Sequence, residues 1–309
     1  MANKFYTPDG FTDQLPGVCA FKRELEARLR KLFLMNGYDE IETPGVEYFD
    51  VYKSFVAEEE LYKFTDGKGR LLCTRYDGTI PVARYAAGRN DKLPMRLSYI
   101  ENMYRAGQNG GGKQSGFTQA GVELLGASGS RSDAEVLALA IKSALELGLT
   151  DLQVSVGQVQ FFKGLSRQLG LSGEAISKVK AAISNRDSVT VEKLELSRED
   201  KDTLLMITES GGTYETIDNM LPRITDEGAK EALGNIKEIL DIMDRYGYLK
   251  YVSVDLGLID SIDYYTGVVF KGYTYEVGFP VFGGGRYDDV SKTFGKDMAA
   301  VGFSISLTL

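Results

Sequence analysis

Residues 116–126 read GFTQAGVELLG, and the alternation of their side chains predicts a β-strand with two different faces. The even-numbered residues from Thr118 to Leu124 would face the core, while the odd-numbered positions carry Gln119 and Glu123 on either side of Gly121. A glycine at that point leaves room for a ligand to lie on the backbone. This face is therefore either a site for a small molecule with an ammonium group or a sheet face open to water.

The segments before this strand predict an antiparallel sheet with flanking helices. Residues 96–106 are typical of a neighbouring strand, and TDGKGR (65–70) predicts a hairpin turn between strands at 61–64 and 71–75. Apolar residues at helical spacing predict a helix over 17–36, followed by a short strand over 38–43. Ser132 and Glu135 predict a capping box at the start of a second long helix.

The second half of the chain changes its pattern twice. Residues 161–249 are charged segments at helical spacing, which predicts a helical insertion between two parts of one domain, residues 1–160 and 250–309. Strand character returns at 251–259 and 268–277, and the glycine run at 282–288 predicts either an anion-binding loop or a tight turn. Together these elements predict an α+β fold built on an antiparallel sheet.

The composition narrows the classes of protein to consider. Hydrophobic residues make up 43% of the 309 residues and the net charge is −8, which is typical of a folded protein and argues against a nucleic-acid partner. Two cysteines and no histidine exclude a disulfide framework and any imidazole base or imidazole metal ligand. No segment approaches the length of a membrane span, so we expect a cytoplasmic protein without a membrane partner.

Two further polar clusters could belong to a site. TRYDGTIPVAR (74–84) places Arg75, Asp77 and Thr79 at the end of a strand, where they form either part of a pocket or a simple turn. IDSIDYYTGVVF (259–270) sets Tyr264 and Tyr265 side by side. The two rings are either walls of a ligand pocket or aromatic residues packed in the core.

Taken in order, these motifs resemble the catalytic domain of histidyl-tRNA synthetase, a class II aminoacyl-tRNA synthetase. The resemblance covers nearly the whole chain outside the helical insertion and rests on GFTDQLPG (10–17), GYDEIETPGVE (37–47), TRYDGTIPVARYA (74–86), MYRAG (103–107), FTQAGVELLG (117–126), SIDYYTGVVF (261–270), FGGGRYDDV (282–290) and AAVGFSISL (299–307). It implies a class II synthetase-like sheet whose histidine-binding residues are Asp77, Thr79, Gln119, Glu123, Tyr264 and Tyr265.

The departures from the family's pattern fall in its ATP site. Arg105 is kept, but Gly107 stands where the family has a glutamate that grips the nucleotide, and Asp260 stands where an arginine meets the α-phosphate. Loss of one such electrostatic contact typically costs about 10²- to 10³-fold in rate. The resemblance therefore implies that adenylation is lost. Further departures are Ser115, Gly116 and Leu309, at positions where the family has charged side chains.

A synthetase-like body with the histidine half kept and the ATP half lost resembles the regulatory subunits of ATP phosphoribosyltransferase, a paralogous family. This resemblance implies a non-catalytic subunit that binds histidine and supports the activity and feedback regulation of the catalytic subunit, in the first step of histidine biosynthesis. It implies a short-form catalytic partner in a hetero-octamer and a self-dimer formed through residues 21–44. It implies no catalytic residue, cofactor, metal, anticodon-binding domain or tRNA partner.

Two alternative functions remain open on the sequence. One is a ligase that adenylates an amino acid on the same fold but does not act on tRNA, which would need an arginine for the α-phosphate. The other is a binding module with no connection to histidine synthesis. Titration with histidine and with ATP separates them, because only the ligase binds both ligands and the unrelated module binds neither.

Overall fold

The fold was determined as a computed structural model, which describes residues 6–107, 114–209, 211–259, 265–275 and 277–308. One mixed sheet of eight strands organises the chain. In spatial order, its strands are β1 (Asp39–Glu40), β5 (Met95–Tyr104), β6 (Gly116–Leu125), β11 (Ala300–Ser306), β10 (Val277–Arg286), β9 (Val268–Thr274), β7 (Gln153–Gln158) and β8 (Val252–Val254). A small second sheet has the order β2 (Val46–Tyr48), β4 (Leu71–Thr74) and β3 (Lys63–Thr65).

Antiparallel pairing dominates the large sheet, and only its two edge pairs, β1 with β5 and β7 with β8, are parallel. The flanking helices are α1 (Pro16–Met35), α2 (Phe49–Tyr52), α3 (Thr79–Ala87), α4 (Ser130–Glu146), α5 (Val159–Gln168), α6 (Glu174–Ser184), α7 (Ser188–Glu192), α8 (Arg198–Thr208), α9 (Tyr214–Met220), α10 (Glu227–Arg245) and α11 (Asp288–Thr293). The predicted α+β fold with flanking helices is confirmed. Within the described residues, no helix has the length and apolar character needed to cross a membrane.

Alternation along β6 divides the sheet into a core face and a site face, as predicted. Ala120, Val122 and Leu124 are fully buried in the main core, together with apolar residues of α1, α4, α5 and α10. Phe303 of β11 anchors this core, because its ring packs edge-on against Phe33 of α1 at 6.2 Å and against Phe282 of β10 at 6.4 Å between centroids. The opposite face, with Gln119 and Glu123, is thereby left for the site.

The helix over 17–36 and the hairpin around 65–70 are also confirmed. α1 spans Pro16–Met35 and is followed by Gly37 in the left-handed conformation (φ 81°). The hairpin strands β3 and β4 pair with Thr65 opposite Leu71. Both elements follow from local signals, a helical period ended by a glycine and an Asp-Gly turn.

Four predicted elements are corrected by tertiary contacts. The strand over 38–43 is only two residues long, and that over 251–259 ends at Val254, after which the chain turns. The capping box is wrong, because α4 begins at Ser130 and Glu135 instead pairs with Arg96 on β5 at 2.9 Å. The glycine run is neither a loop nor a turn, since residues 283–286 lie inside β10 and pair with both β9 and β11.

The segment 161–249 contains the predicted helices. Apolar residues of α5 and α10 pack into the same core as the sheet, and so do Val179 and Ile183 of α6, Val191 of α7, and Leu204 and Ile207 of α8. The division of the chain into a synthetase-like domain and an insertion stays a prediction.

We expect Phe303→Ala to lower the free energy of unfolding by about 3 to 5 kcal/mol, the usual cost of deleting a buried phenylalanine ring. Tyr275→Ala is the matched control, because that ring is 86% exposed and its loss should change stability little. Urea unfolding of both variants makes the comparison. Equal effects of the two substitutions would show that Phe303 does not anchor the core.

Candidate functional site

A cavity of about 720 Å³ opens on the site face of the sheet, opposite the face that packs on α4. The backbone of β10 and β11 contributes to its wall through Gly283, Gly284 and Gly302. The polar side chains that line it are Glu60, Tyr76, Asp77, Thr79, Arg105, Gln119, Tyr265, Lys271, Tyr287 and Ser304. The structure thus brings together four of the six residues predicted to bind histidine, and Glu123 lies directly behind two of the lining side chains.

Glu123 is completely buried at the centre of β6 and is set back from the cavity. One carboxylate oxygen, Oε1, accepts a hydrogen bond from the Thr79 hydroxyl at 2.8 Å, and the other, Oε2, accepts one from the Tyr287 hydroxyl. Gly302 lies opposite Glu123 in the β6–β11 pair, and a Cβ atom there would lie 1.7 Å from Oε2. Only glycine at position 302 therefore leaves space for this carboxylate.

Burial raises the pKa of both acids at the site. It raises the pKa of Glu123 to about 8, although the hydrogen bonds from Tyr287 and Thr79 oppose the shift. It raises the pKa of Asp77 to about 6, against the hydrogen bond from the Ile80 N–H and the charge of Arg105. Among the described residues, neither carboxylate forms an ion pair. A cationic group entering the cavity would lower the pKa of both acids by favouring their ionised forms.

Gln119 offers a further unused acceptor. Its Nε2 donates to the Ser304 hydroxyl at 2.8 Å, while its Oε1 is buried and has no hydrogen-bond partner. A buried acceptor without a partner costs about 1 to 3 kcal/mol. Because Gln119 lines the cavity, an N–H donor of a ligand could complete its hydrogen bonding.

Two tyrosines border the acids. Tyr265 lines the cavity, and burial together with the nearby charges of Glu123 and Asp77 raises its pKa. Sequence reasoning missed Tyr287, which follows β10 directly and donates its hydroxyl to Glu123. Its position at the end of FGGGRY could have pointed to it, but the glycine run there predicts an anion-binding loop or a tight turn. Tyr264 lies outside the described residues.

Cationic groups occupy the other end of the cavity. The Arg105 guanidinium is held between the rings of Tyr76 and Phe117, at 4.6 and 4.9 Å from their centroids, and its Nε donates to the Tyr76 carbonyl. Arg105 and Lys271 also line an adjoining cavity of about 250 Å³, which Asp77 and Thr79 do not line. A carboxylate is also present at this end, because Glu60 lines the same cavity and accepts a hydrogen bond from the Tyr76 hydroxyl.

The remaining positions of the predicted ATP site carry no charge that could hold a nucleotide. Gly107 is exposed in a turn with φ 75°. Ser115 is buried under Gly10, to whose carbonyl its backbone N–H donates at 2.8 Å, and Gly116 packs against the ring of Phe11. Asp260 and Leu309 lie outside the described residues.

Several expectations about the site are wrong. The space above Gly121 is filled by Tyr99 of β5, whose hydroxyl oxygen would lie 2.4 Å from a Cβ atom at that position, so no ligand rests there. The alternative of a sheet face open to water is also wrong, because Gln119 and Glu123 are buried.

The two arginines of the polar clusters are structural rather than part of the site. Arg75 is buried in an ion pair with Glu101 at 2.7 Å. Arg286 pairs with Asp133 at 2.6 Å, so the glycine run before it presents no free arginine to an anion.

Comparison with known proteins shows which family the chain resembles. The family model described as histidyl-tRNA synthetase matches residues 10–309. The ATP phosphoribosyltransferase regulatory subunit of Acetivibrio thermocellus is 43% identical, with 99% of this chain and 75% of the relative covered. That of Ruminiclostridium cellulolyticum is 42% identical with the same coverage.

Solved structures agree with this assignment. A Bacillus halodurans protein described as an ATP phosphoribosyltransferase regulatory subunit/histidyl-tRNA synthetase superposes with a TM-score of 0.93 at 32% identity, covering 99% of this chain and 82% of its own. Histidyl-tRNA synthetase from Nostoc superposes with a TM-score of 0.85 at 21% identity, covering 99% of this chain and 74% of its own, and shows the shared fold alone.

The raised pKa of Glu123 predicts a pH-dependent stability. A carboxyl whose pKa is 4.5 when unfolded and about 8 when folded binds its proton more tightly in the folded state, so its contribution is complete below pH 4.5 and is lost as the pH rises to about 8. The free energy of unfolding should fall by up to about 1.4 kcal/mol per pH unit in this range. Because the chain has no histidine, few other groups titrate between pH 6.5 and 8.

Urea unfolding between pH 6.5 and 8 measures this slope. Glu123→Gln should flatten it, whereas Asp77→Asn should leave it, since the pKa of Asp77 is about 6. An unchanged slope in the Glu123→Gln protein would contradict the protonation assigned to this residue.

Proposed function

The chain belongs to the histidyl-tRNA synthetase family, within its branch of ATP phosphoribosyltransferase regulatory subunits, and we propose that its cavity binds histidine without activating it. The chain is accordingly a regulatory subunit in histidine biosynthesis, not the catalytic one. The observation that carries the proposal is the presence of both signs of charge in one cavity. Asp77 lines it, with Glu123 buried behind Thr79 and Tyr287, and Arg105 and Lys271 line it as cations.

This arrangement suits an amino-acid zwitterion with a second polar group. Asp77 and the free Oε1 of Gln119 would accept hydrogen bonds from the ammonium group. Arg105 would take the carboxylate, because a guanidinium binds carboxylates in a fixed planar geometry. The ring nitrogens of histidine would then meet Thr79, Tyr287 and, behind them, Glu123. Tyr264 and Tyr265 are proposed as further ring contacts.

Adenylation needs groups that this chain does not offer in its ATP half. Gly107 is an exposed turn residue without a side chain to grip a nucleotide. In the sequence, Asp260 would repel the α-phosphate that an arginine attracts in the synthetases. These substitutions favour a sensor over the alternative of an adenylating ligase, and the names of the relatives disfavour a module unrelated to histidine synthesis.

Regulation requires that histidine bind differently in two states of a complex with the catalytic subunit. We propose the catalytic subunit as a partner because the relatives are named regulatory subunits. We also propose a self-dimer through residues 21–44 and assembly into a hetero-octamer. The exposed apolar side chains Phe21, Leu34 and Met35 on α1 support a self-contact on that helix.

We expect Glu123→Gln and Asp77→Asn each to weaken histidine binding by about 10- to 150-fold, the equivalent of a hydrogen bond to a charged group. Calorimetric titration with histidine measures the effect. Glu135→Gln is the control, because Glu135 forms an ion pair at the start of α4, away from the cavity lining. Unchanged affinity and unchanged feedback inhibition in both site variants would move the histidine site elsewhere, for example to the interface with the catalytic subunit.

We also expect no histidine-dependent exchange of pyrophosphate into ATP, because the α-phosphate arginine and the nucleotide-gripping glutamate are both missing. Asp260→Arg alone should not restore the exchange, since Gly107 still leaves the nucleotide ungripped. Exchange above background in the unmodified protein would support the ligase instead.

A further inference from the structure

Arg186 has an unusual backbone conformation for its residue type. Its φ of 53° is the only positive φ of a non-glycine residue in the described part of the chain. It follows α6 at the position where helices commonly end in a left-handed glycine, and the N–H of Asp187 donates to the carbonyl of Ala182 at 2.8 Å to close the helix. Such a conformation is disfavoured for a side chain with a Cβ atom, so its use here indicates a role for the arginine side chain.

The side chain of Arg186 connects three separate segments. Its Nη1 donates to the carbonyl of Thr208 at the end of α8 at 2.9 Å, and its Nη2 contacts Asp255 Oδ2 at 3.0 Å. Asp255 directly follows β8 in the large sheet. One guanidinium therefore joins the ends of α6 and α8 to the point where the chain leaves the sheet.

Asp255 begins a tight turn, residues 255–258, which is fixed by internal hydrogen bonds and by packing against β7 and α6. Its Oδ1 accepts the N–H of Gly257 at 2.9 Å, and its carbonyl accepts the N–H of Leu258 at 3.1 Å. Below the turn lies Gly157 of β7, where a Cβ atom would come within 2.8 Å of the Asp255 carbonyl. Above it lies α6, with Ile183 3.2 Å from a Cβ atom placed at Gly257. A shift of α6 or α8 therefore presses on the turn.

The turn is adjacent to the ligand cavity through strands β7 and β9. Gly157, under the turn, pairs with Val269 of β9, and Val269 lines the cavity. A small polar cavity of about 180 Å³ between the helices and the sheet is lined by Arg186, Asp255 and Lys271, and Lys271 also lines the ligand cavity. A continuous series of contacts therefore joins α6 and α8 to Val269 and Lys271 in the wall of the ligand cavity.

We propose that Arg186 is a positioning residue that couples helices α6 and α8 to the ligand cavity through the turn 255–258. A partner protein that moves these helices would change ligand affinity by this route. The choice of histidine as the ligand rests on the function proposed above. The coupling itself is a property of the chain and can be measured without ligand.

The chain offers a closely matched control for the test. Arg167 also forms an ion pair with an aspartate, Asp226, at 2.8 Å, and the exposed fractions of the two side chains are 58% and 17%, against 56% and 16% for Arg186 and Asp255. The Arg167 pair joins α5 to the start of α10 and does not touch the turn. Arg186→Gly removes the side chain and suits the left-handed backbone, so this variant should fold.

The experiment compares Arg186→Gly with Arg167→Ala by hydrogen exchange and by calorimetric titration with histidine. We expect Arg186→Gly to speed exchange at residues 257–259 and 268–271 and to weaken histidine binding by about 2- to 30-fold. Arg167→Ala should do neither. Asp255→Asn should reproduce the Arg186→Gly effects in part, and the double variant should show less than the sum of the two, since the substitutions share the Arg186–Asp255 contact.

Equal results for Arg186→Gly and Arg167→Ala in both measurements would overturn the coupling. If the unmodified protein binds no histidine, the proposed ligand is wrong, but the exchange data still decide the inference. Faster exchange at 268–271 in the Arg186→Gly protein alone supports the coupling, and unchanged exchange there refutes it.

Discussion

The site depends on one buried carboxylate, that of Glu123, which the fold places at the centre of a sheet, where it accepts hydrogen bonds from the hydroxyl groups of Thr79 and Tyr287. Its position constrains its neighbours. Position 302 must be glycine to make room for it, and Thr79 and Tyr287 must direct their hydroxyls toward it. An uncompensated acid in the core costs free energy, and that cost is reduced when a ligand brings a positive or proton-donating group. The cavity in front of Glu123 is therefore suited to selective binding of a nitrogen-rich cation.

The part of the cavity around Arg105 explains why histidine binding need not lead to adenylation. Arg105 is fixed between two aromatic rings and is well placed to hold one anionic group, such as the carboxylate of an amino acid. Around it, the exposed Gly107 and the packed Ser115 offer no further charge. Transfer to a nucleotide would need several fixed charges acting together on the phosphates. A protein that keeps the first set of contacts and lacks the second can respond to an amino acid without consuming it.

The sequence predicts those parts of the fold that local patterns determine. The alternation in β6, the Asp-Gly hairpin and the α1 period ended by Gly37 all carry their structure in neighbouring residues. Other features depend on partners distant in the chain. Glu135 does not cap α4, because it forms an ion pair with Arg96. Residues 283–286 form a strand because neighbouring strands flank them. Tyr99 fills the space above Gly121. Tyr287 was missed for the same reason, since only the fold brings it to Glu123.

The most direct test is a crystal structure of the protein grown with L-histidine. The account predicts one histidine in the cavity, with its ammonium group within hydrogen-bond distance of Asp77 and Gln119 Oε1, its ring toward Thr79 and Tyr287, and its carboxylate at Arg105. An empty cavity in crystals where histidine is bound at another surface of the same protein would contradict it.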